Sequence, residues 1–160
     1  MKKSISFLRL LFCLALPLAV GGFAALLTRD AVASFGQTAV QGPLAPPDWL
    51  FPVVWTVLYL LMGAASYLVL IAPYPTEMRQ RALLPYAVQL VLNFYWPIFF
   101  FNMRLYLFAF VWLVFLWFFI LLCILRFRKL SGAAALLLIP YLLWVTFAGY
   151  LNFSVYLLNR

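Results

Sequence analysis

The sequence predicts an all-α fold: a polytopic membrane protein built as a bundle of five transmembrane helices. Three observations predict it. Of 160 residues, 69% are hydrophobic and 9% charged, whereas an ordinary soluble domain carries about 25% charged residues. Five apolar runs are each long enough to cross a hydrocarbon core, which takes about 20 residues. The prolines, glycines and charges collect between these runs. No internal repeat or second composition interrupts the pattern, so residues 1–160 read as one domain.

The first run covers residues 5–27. Its opening, MKKSISFLRLLFCLALPLAV, has the charged start and apolar core of a signal peptide, and the AVA at 31–33 resembles a cleavage site. The apolar stretch exceeds the roughly 7–15 residues of a signal-peptide core. Arg29 and Asp30 also precede the AVA. The run is therefore expected to stay as the first membrane helix. Residues 28–48, with Gly36, Gly42, Pro43, Pro46 and Pro47, form the longest expected link.

The second run, residues 49–72, begins after Pro46 and Pro47, which suit a first turn because proline lacks an amide needing a partner there. Asp48 suits the positive end of the helix dipole, and Trp49 suits the membrane interface. Pro73, Pro75, Glu77, Arg79 and Arg81 mark the next link, before a run at 82–101. Asn102, Met103 and Arg104 leave only a tight turn, so the run at 105–125 should lie antiparallel beside its predecessor. That run is bulky all round and reads as a largely lipid-facing wall. Arg126, Arg128, Lys129, Ser131 and Gly132 then lead to the last run, 133–158.

The net charge of +8 would suggest nucleic acid in a soluble protein, but here the basic residues sit between spans and set orientation. Eight of the eleven lie on the side of the N-terminus: Lys2, Lys3, Arg9, Arg79, Arg81, Arg126, Arg128 and Lys129. Arg29, Arg104 and Arg160 lie on the other. The positive-inside rule places the N-terminus in the cytoplasm and the C-terminus outside.

The residue inventory narrows the chemistry. There is no histidine, hence neither the commonest metal ligand nor the commonest general base. Cys13 and Cys123 lie inside apolar runs without metal-site spacing. Asp30, Asp48 and Glu77 are the only acids, and all fall in links or at helix ends. No intramembrane charge marks a proton relay. No catalytic residue or obligatory cofactor is indicated.

What remains is aromatic and amide. Phe51, Trp55 and Tyr59 follow one another at intervals of four, on one face of the second helix. In QLVLNFYWPIFFF, Asn93 lies among apolar neighbours and should face the bundle interior. Trp96 follows three residues later, and Pro97 should kink the helix. In the fifth helix Trp144, Ala148 and Asn152 repeat the interval of four. Packing alone explains such stripes in part, since small residues allow close helix approach and amides join helices. The two buried asparagines could satisfy one another. A ring, a small gap and an amide on one face also suit a flat, apolar guest.

The segments PPDWLFPVVWTVLYLLMGAAS, QLVLNFYWPIFF and PYLLWVTFAGYLNFSVYLLN, in that order over residues 46–159, resemble the TspO/MBR family. Its members are the tryptophan-rich sensory proteins of bacteria and the mitochondrial translocator protein, or peripheral benzodiazepine receptor. The resemblance implies a five-helix bundle, commonly a homodimer, that binds porphyrins such as protoporphyrin IX or haem, and in some members sterols or synthetic ligands. Carried over by position, the pocket uses Phe51, Trp55, Tyr59, Asn93, Trp96, Trp144, Ala148 and Asn152. The sequence departs from the family at Leu44, where a tryptophan is usual, in SFGQTAV, which lacks a usual Trp-Tyr pair, and at Phe153, where a tyrosine is usual. Leu151, Tyr156 and Arg160 still fit a cholesterol-recognition spacing, a weak pattern.

The expected function is thus a multi-pass protein, in a bacterial cell membrane, that binds a tetrapyrrole for sensing, regulation or transport. Its partners would be the hydrophobic ligand, membrane lipid and a second copy, not nucleic acid. The alternatives are a light-dependent porphyrin-degrading enzyme, a sterol- or lipid-binding protein and a purely structural membrane protein.

Overall fold

The structure is a computed structural model describing residues 2–160, with the side chains of residues 2–5 outside the description. Lys2 and Lys3, which enter the orientation argument, fall there. Five helices follow in order: α1 (Lys2–Thr38), α2 (Leu50–Leu70), α3 (Thr76–Pro97), α4 (Tyr106–Arg128) and α5 (Gly132–Leu158). All five contain stretches long and apolar enough to cross a membrane, and no strand occurs among the described residues. Packing runs from α1 to α2, α5, α4, α3 and back to α1. Consecutive helices pack together except α2 and α3, which meet only weakly; α2–α5 and α1–α3 close the bundle. The last helix inserts between α2 and α4, which brings the second and fifth runs face to face.

Two boundaries differ most from expectation. α1 continues eleven residues past 27, so the long link shrinks to residues 39–49. The extension holds because it is packed. Phe35 is buried against Phe100, Phe101 and Tyr106 at centroid distances of 5.3, 5.2 and 6.4 Å. Asn102 donates to the Leu27 carbonyl and Arg104 to Ser34 Oγ, both at 3.0 Å. Tertiary contact overrides the helix-weakening effect of Gly36. α3 begins at Thr76, six residues before the expected start. Its charges, read as a link, are its solvated first turns. Glu77 pairs with Arg81 one turn on at 2.5 Å, and Arg79 bonds the Leu70 carbonyl at the end of α2.

Pro97 acts as expected on α3, with a specific outcome. Proline has no amide for the Asn93 carbonyl, and the helix widens into a π turn at Ile98–Asn102, where Met103 N bonds Ile98 O at 3.0 Å. Arg104, at φ 54°, then reverses the chain into α4. α4 is more than a lipid-facing wall. Phe108, Phe115 and Phe118 are exposed, yet Ala109, Leu113, Leu116, Ile120, Cys123 and Phe127 form a continuous buried stripe. A uniformly apolar helix carries no periodicity by which to separate those faces. Ser131 starts α5, accepting from Ala134 N at 3.2 Å as an N-cap.

The contact of α1 with α2 is fixed by two residues without ordinary backbone or side-chain bulk. Pro17 leaves the Cys13 carbonyl without its helical donor. That carbonyl oxygen lies where a Cβ on Gly63 would stand, 2.5 Å away, with Leu14 Cα at 2.7 Å. Both obstacles are backbone. Gly63→Ala is expected to push the helices apart and cost about 1–3 kcal/mol, as overpacking does. Gly22→Ala, which meets nothing within 4 Å, should leave the melting temperature in detergent unchanged. Equal melting temperatures for the two variants would contradict this packing.

Candidate ligand-binding site

The eight residues singled out in the sequence come from α2, α3 and α5 and occupy three connected places. The first is mid-bundle. Trp55 stacks on Tyr59 (5.6 Å between centroids, 28° between planes), with Tyr141 edge-on to Trp55 at 6.2 Å. Tyr59 Oη donates to Asn93 Oδ1 at 2.7 Å, and Asn93 Nδ2 donates to Tyr141 Oη at 2.8 Å. Tyr141 donates to Gln89 Oε1 at 2.8 Å, and Gln89 Nε2 reaches Met62 Sδ at 3.9 Å. Asn93 is 4% exposed, Gln89 1% and Tyr141 0%. In hydrocarbon such groups must find partners within the protein, and a row across three helices supplies them.

The second place lies toward the end of the bundle that carries residues 39–49. Trp96 Nε1 donates to Asn152 Oδ1 at 3.0 Å, and Asn152 Nδ2 donates to the Tyr106 carbonyl at 2.8 Å. Trp96 also stacks on Phe100 at 5.4 Å. The expected pairing of Asn93 with Asn152 does not occur. Tyr141, the partner of Asn93 on α5, lies eleven residues before Asn152, about 16 Å along the helix. The two amides therefore occupy different levels, each with its own partners. Residues 39–49 are tied down near this level: Val40 N donates to Asn159 Oδ1 at 3.0 Å, and Asn159 Nδ2 donates to Val40 O at 2.8 Å.

The third place is the seam of α2 and α5. Phe51 meets Trp144 edge-on at 5.9 Å, and Trp144 leans on Phe147 at 5.6 Å. Beside them an apolar groove of about 490 Å³ opens outward, lined by Val53, Val57, Leu61, Pro140, Trp144 and Phe147 among others. Trp144 Nε1 is buried with no hydrogen-bond partner. Three other indoles are paired: Trp96 with Asn152, Trp112 with the Leu92 carbonyl and Trp117 with Thr146 Oγ1. Ala148, 5% exposed, lies between the levels of Trp144 and Asn152. Trp49, the expected interface residue, is 66% exposed.

Three participants were not singled out in the sequence. Gln89 and Tyr141 are buried polar residues that bond to the predicted set. The signal was present: Gln89 precedes Asn93 by four, and Tyr141 precedes Trp144 by three, each continuing a face already marked. The third, Gly21 of α1, has no such signal. The Tyr59 ring occupies the space a Cβ on Gly21 would need, a fact visible only once α1 and α2 are packed.

Known proteins resemble this chain over most of its length. A model of the TspO/MBR family matches residues 13–158. A tryptophan-rich protein TspO of Chlorobaculum tepidum is 42% identical over 159 residues, 99% of each chain. One of Archaeoglobus fulgidus is 34% identical over 155 residues, 97% of this chain and 99% of that one. The translocator protein of Ovis aries is 37% identical over 121 residues, 74% of this chain and 70% of the sheep protein.

Asn152→Leu should strand the Trp96 N–H, which loses its acceptor, while the Tyr106 carbonyl keeps its place in the first turn of α4. The expected cost is about 1–3 kcal/mol, the penalty for unpaired buried groups, read as a lower melting temperature in detergent. A variant as stable as the parent would show that the Trp96 N–H does not depend on the amide.

Proposed function

Because the chain belongs to the TspO/MBR family, we propose that this integral, multi-pass membrane protein binds a porphyrin-type tetrapyrrole between α2 and α5, in sensing, regulation or transport. The observation that carries the proposal is the unpartnered Trp144 N–H among aromatic rings, at the wall of a groove open to the bilayer side. A buried donor without a partner costs about 1–3 kcal/mol. A ligand that brings an acceptor to it recovers that cost, while its flat apolar body replaces lipid against Phe51, Trp144 and Phe147.

A porphyrin fits this chemistry: a wide aromatic plane with carboxylates at one edge. Deeper insertion would set it against Trp55, whose faces already take aromatic partners. The donor set favours the metal-free form. The chain has no histidine; Cys13 packs against α2 near Gly63, and Cys123 belongs to the buried stripe of α4. Neither thiol belongs to the groove wall. The proposal also takes the end carrying Arg79, Arg81, Arg126, Arg128 and Lys129 as the cytoplasmic face, since both links at that end are basic. Residues 39–49 then lie outside, above the Trp96–Asn152 level.

Titration with protoporphyrin IX is expected to quench tryptophan fluorescence saturably. Trp144→Phe keeps an aromatic ring, though a smaller one, and removes the N–H. It should weaken binding by about tenfold, the equivalent of ~1.4 kcal/mol. Unchanged affinity would refute the role given to Trp144. Saturable quenching with light-dependent loss of porphyrin absorbance, abolished by Trp55→Phe, would indicate degradation instead of binding alone.

A further inference from the structure

Pro17, Pro85, Pro97 and Pro140 stand in helix interiors. Each leaves the carbonyl four residues earlier without its helical donor. Three of these carbonyls are accommodated. That of Cys13 packs against Gly63. That of Arg81 lies in the solvated first turns of α3. The bond lost by Asn93 is absorbed where the helix widens at Ile98–Asn102. The fourth, that of Leu136, is different. Pro140 belongs to the wall of the α2–α5 groove, and Leu136 is 65% exposed. The side chains that donate to α5 carbonyls, Thr146 and Asn159, serve Leu142 and Val155.

The groove therefore brings together two unmatched polar groups: the Trp144 N–H and the Leu136 carbonyl. Pro140 and Trp144 are one turn apart on the same face of α5. Counted from the start of α5 at Gly132, they lie about 12 and 18 Å along the helix, within the hydrocarbon. The carbonyl points forward to the level of Pro140, while a helical side chain leans back toward the N-terminus. Donor and acceptor thus approach to about one turn, ~6 Å. With bonds of about 2.8 Å at either end, one carboxylic acid bridges that gap. Its C=O accepts from Trp144, and its O–H donates to Leu136.

An ionised carboxyl cannot make both bonds. It has no hydrogen for Leu136, and no cation faces it: every lining residue of α2 and α5 is apolar or aromatic. The titratable groups of these helices are engaged elsewhere. Tyr59 and Tyr141 bond inward to Asn93, and Tyr67 bonds Ser6. Tyr150 lines the separate groove between α4 and α5, and Tyr156 packs on Phe153. Asp48 precedes the first lining residue, Val53, by more than a turn. The thiols of Cys13 and Cys123 are not in the wall. A bare carboxylate in such surroundings is costly enough to take up a proton instead.

We propose that the groove binds the porphyrin's carboxylic acid in its neutral form, between Trp144 and the carbonyl that Pro140 leaves free. Pro140 is thereby a specificity-determining residue that favours acids over esters. This rests on the porphyrin reading above. A carboxyl ionises near pH 4 in water, so above that pH the ligand must take up one proton to bind. Affinity then falls about tenfold for each pH unit. The chain has no histidine, so none of its side chains has an ordinary midpoint between pH 6 and pH 8. A pH dependence in that window belongs to the ligand.

Tryptophan quenching in detergent, titrated with protoporphyrin IX and with its dimethyl ester at pH 6 and pH 8, tests this. The ester keeps the ring system and the C=O groups and lacks the acid hydrogen. The parent should bind the acid at least tenfold more weakly at pH 8, and the ester equally at both. Pro140→Ala supplies an N–H to Leu136. At pH 6 it should weaken acid binding about fivefold, the size of one ~1 kcal/mol hydrogen bond, and leave ester binding unchanged. The parent comparisons stand alone if that variant does not fold. Equal acid affinity at the two pH values, or a pH dependence that the ester shares, overturns the neutral-acid proposal. Unchanged acid binding in Pro140→Ala, or an equal loss for acid and ester, overturns the role of the Leu136 carbonyl. A parent that binds neither compound at either pH overturns the porphyrin reading instead.

Discussion

The buried Asn93 amide is the constraint on which the rest of this bundle depends. In hydrocarbon no water can satisfy it, so helices must bring it partners. It takes one from α2, Tyr59, and one from α5, Tyr141. That requirement explains the order of packing, in which α5 enters beside α2. It also specifies the azimuth of each helix. Apolar residues alone would pack well at many rotations; a hydrogen-bonded row is satisfied at one. Interhelical hydrogen bonds in membranes are individually modest, averaging about 0.6 kcal/mol. Their influence on register exceeds their contribution to stability.

The same amide links structure to function. Around it the rings are arranged with their polar edges engaged: Tyr59 with Asn93, and Trp96 with Asn152. Trp144 has a buried indole nitrogen without a partner, and it stands at the outward-opening groove. A site that satisfies all its polar groups internally offers a ligand only area. One left with a single buried donor offers area and an orientation. The family shown by comparison makes a sensory or translocator-type membrane protein the frame for this site, and the geometry supports a flat acceptor-bearing ligand within it.

Much of this was legible in the sequence because membrane composition and period leave few choices. Five runs gave five helices, and the interval of four in Phe51–Trp55–Tyr59 and Trp144–Ala148–Asn152 placed those residues on inward faces. The failures have physical reasons. Residues 28–38 resembled a loop because polarity in a membrane protein marks departure from the bilayer, not the end of a helix; Phe35 carries α1 onward by packing on Phe100. The two asparagines were matched by chemistry alone, although helical rise holds them at different levels. Gly21 and the inner stripe of α4 have no local signature, since both are defined by what lies opposite.

The central claim, that a porphyrin's acceptor edge engages the buried donor of the α2–α5 seam, is tested most directly by indole N–H resonances. Proton–nitrogen NMR of the protein in detergent or bilayer discs, titrated with protoporphyrin IX, reports each tryptophan separately. The account predicts a large downfield shift for the Trp144 indole proton, whose nitrogen has no partner, while Trp117, held by Thr146 at 2.8 Å, stays in place. Perturbation of Trp117 or Trp49 with an unmoved Trp144 would place the ligand on the lipid-facing surface and contradict the account.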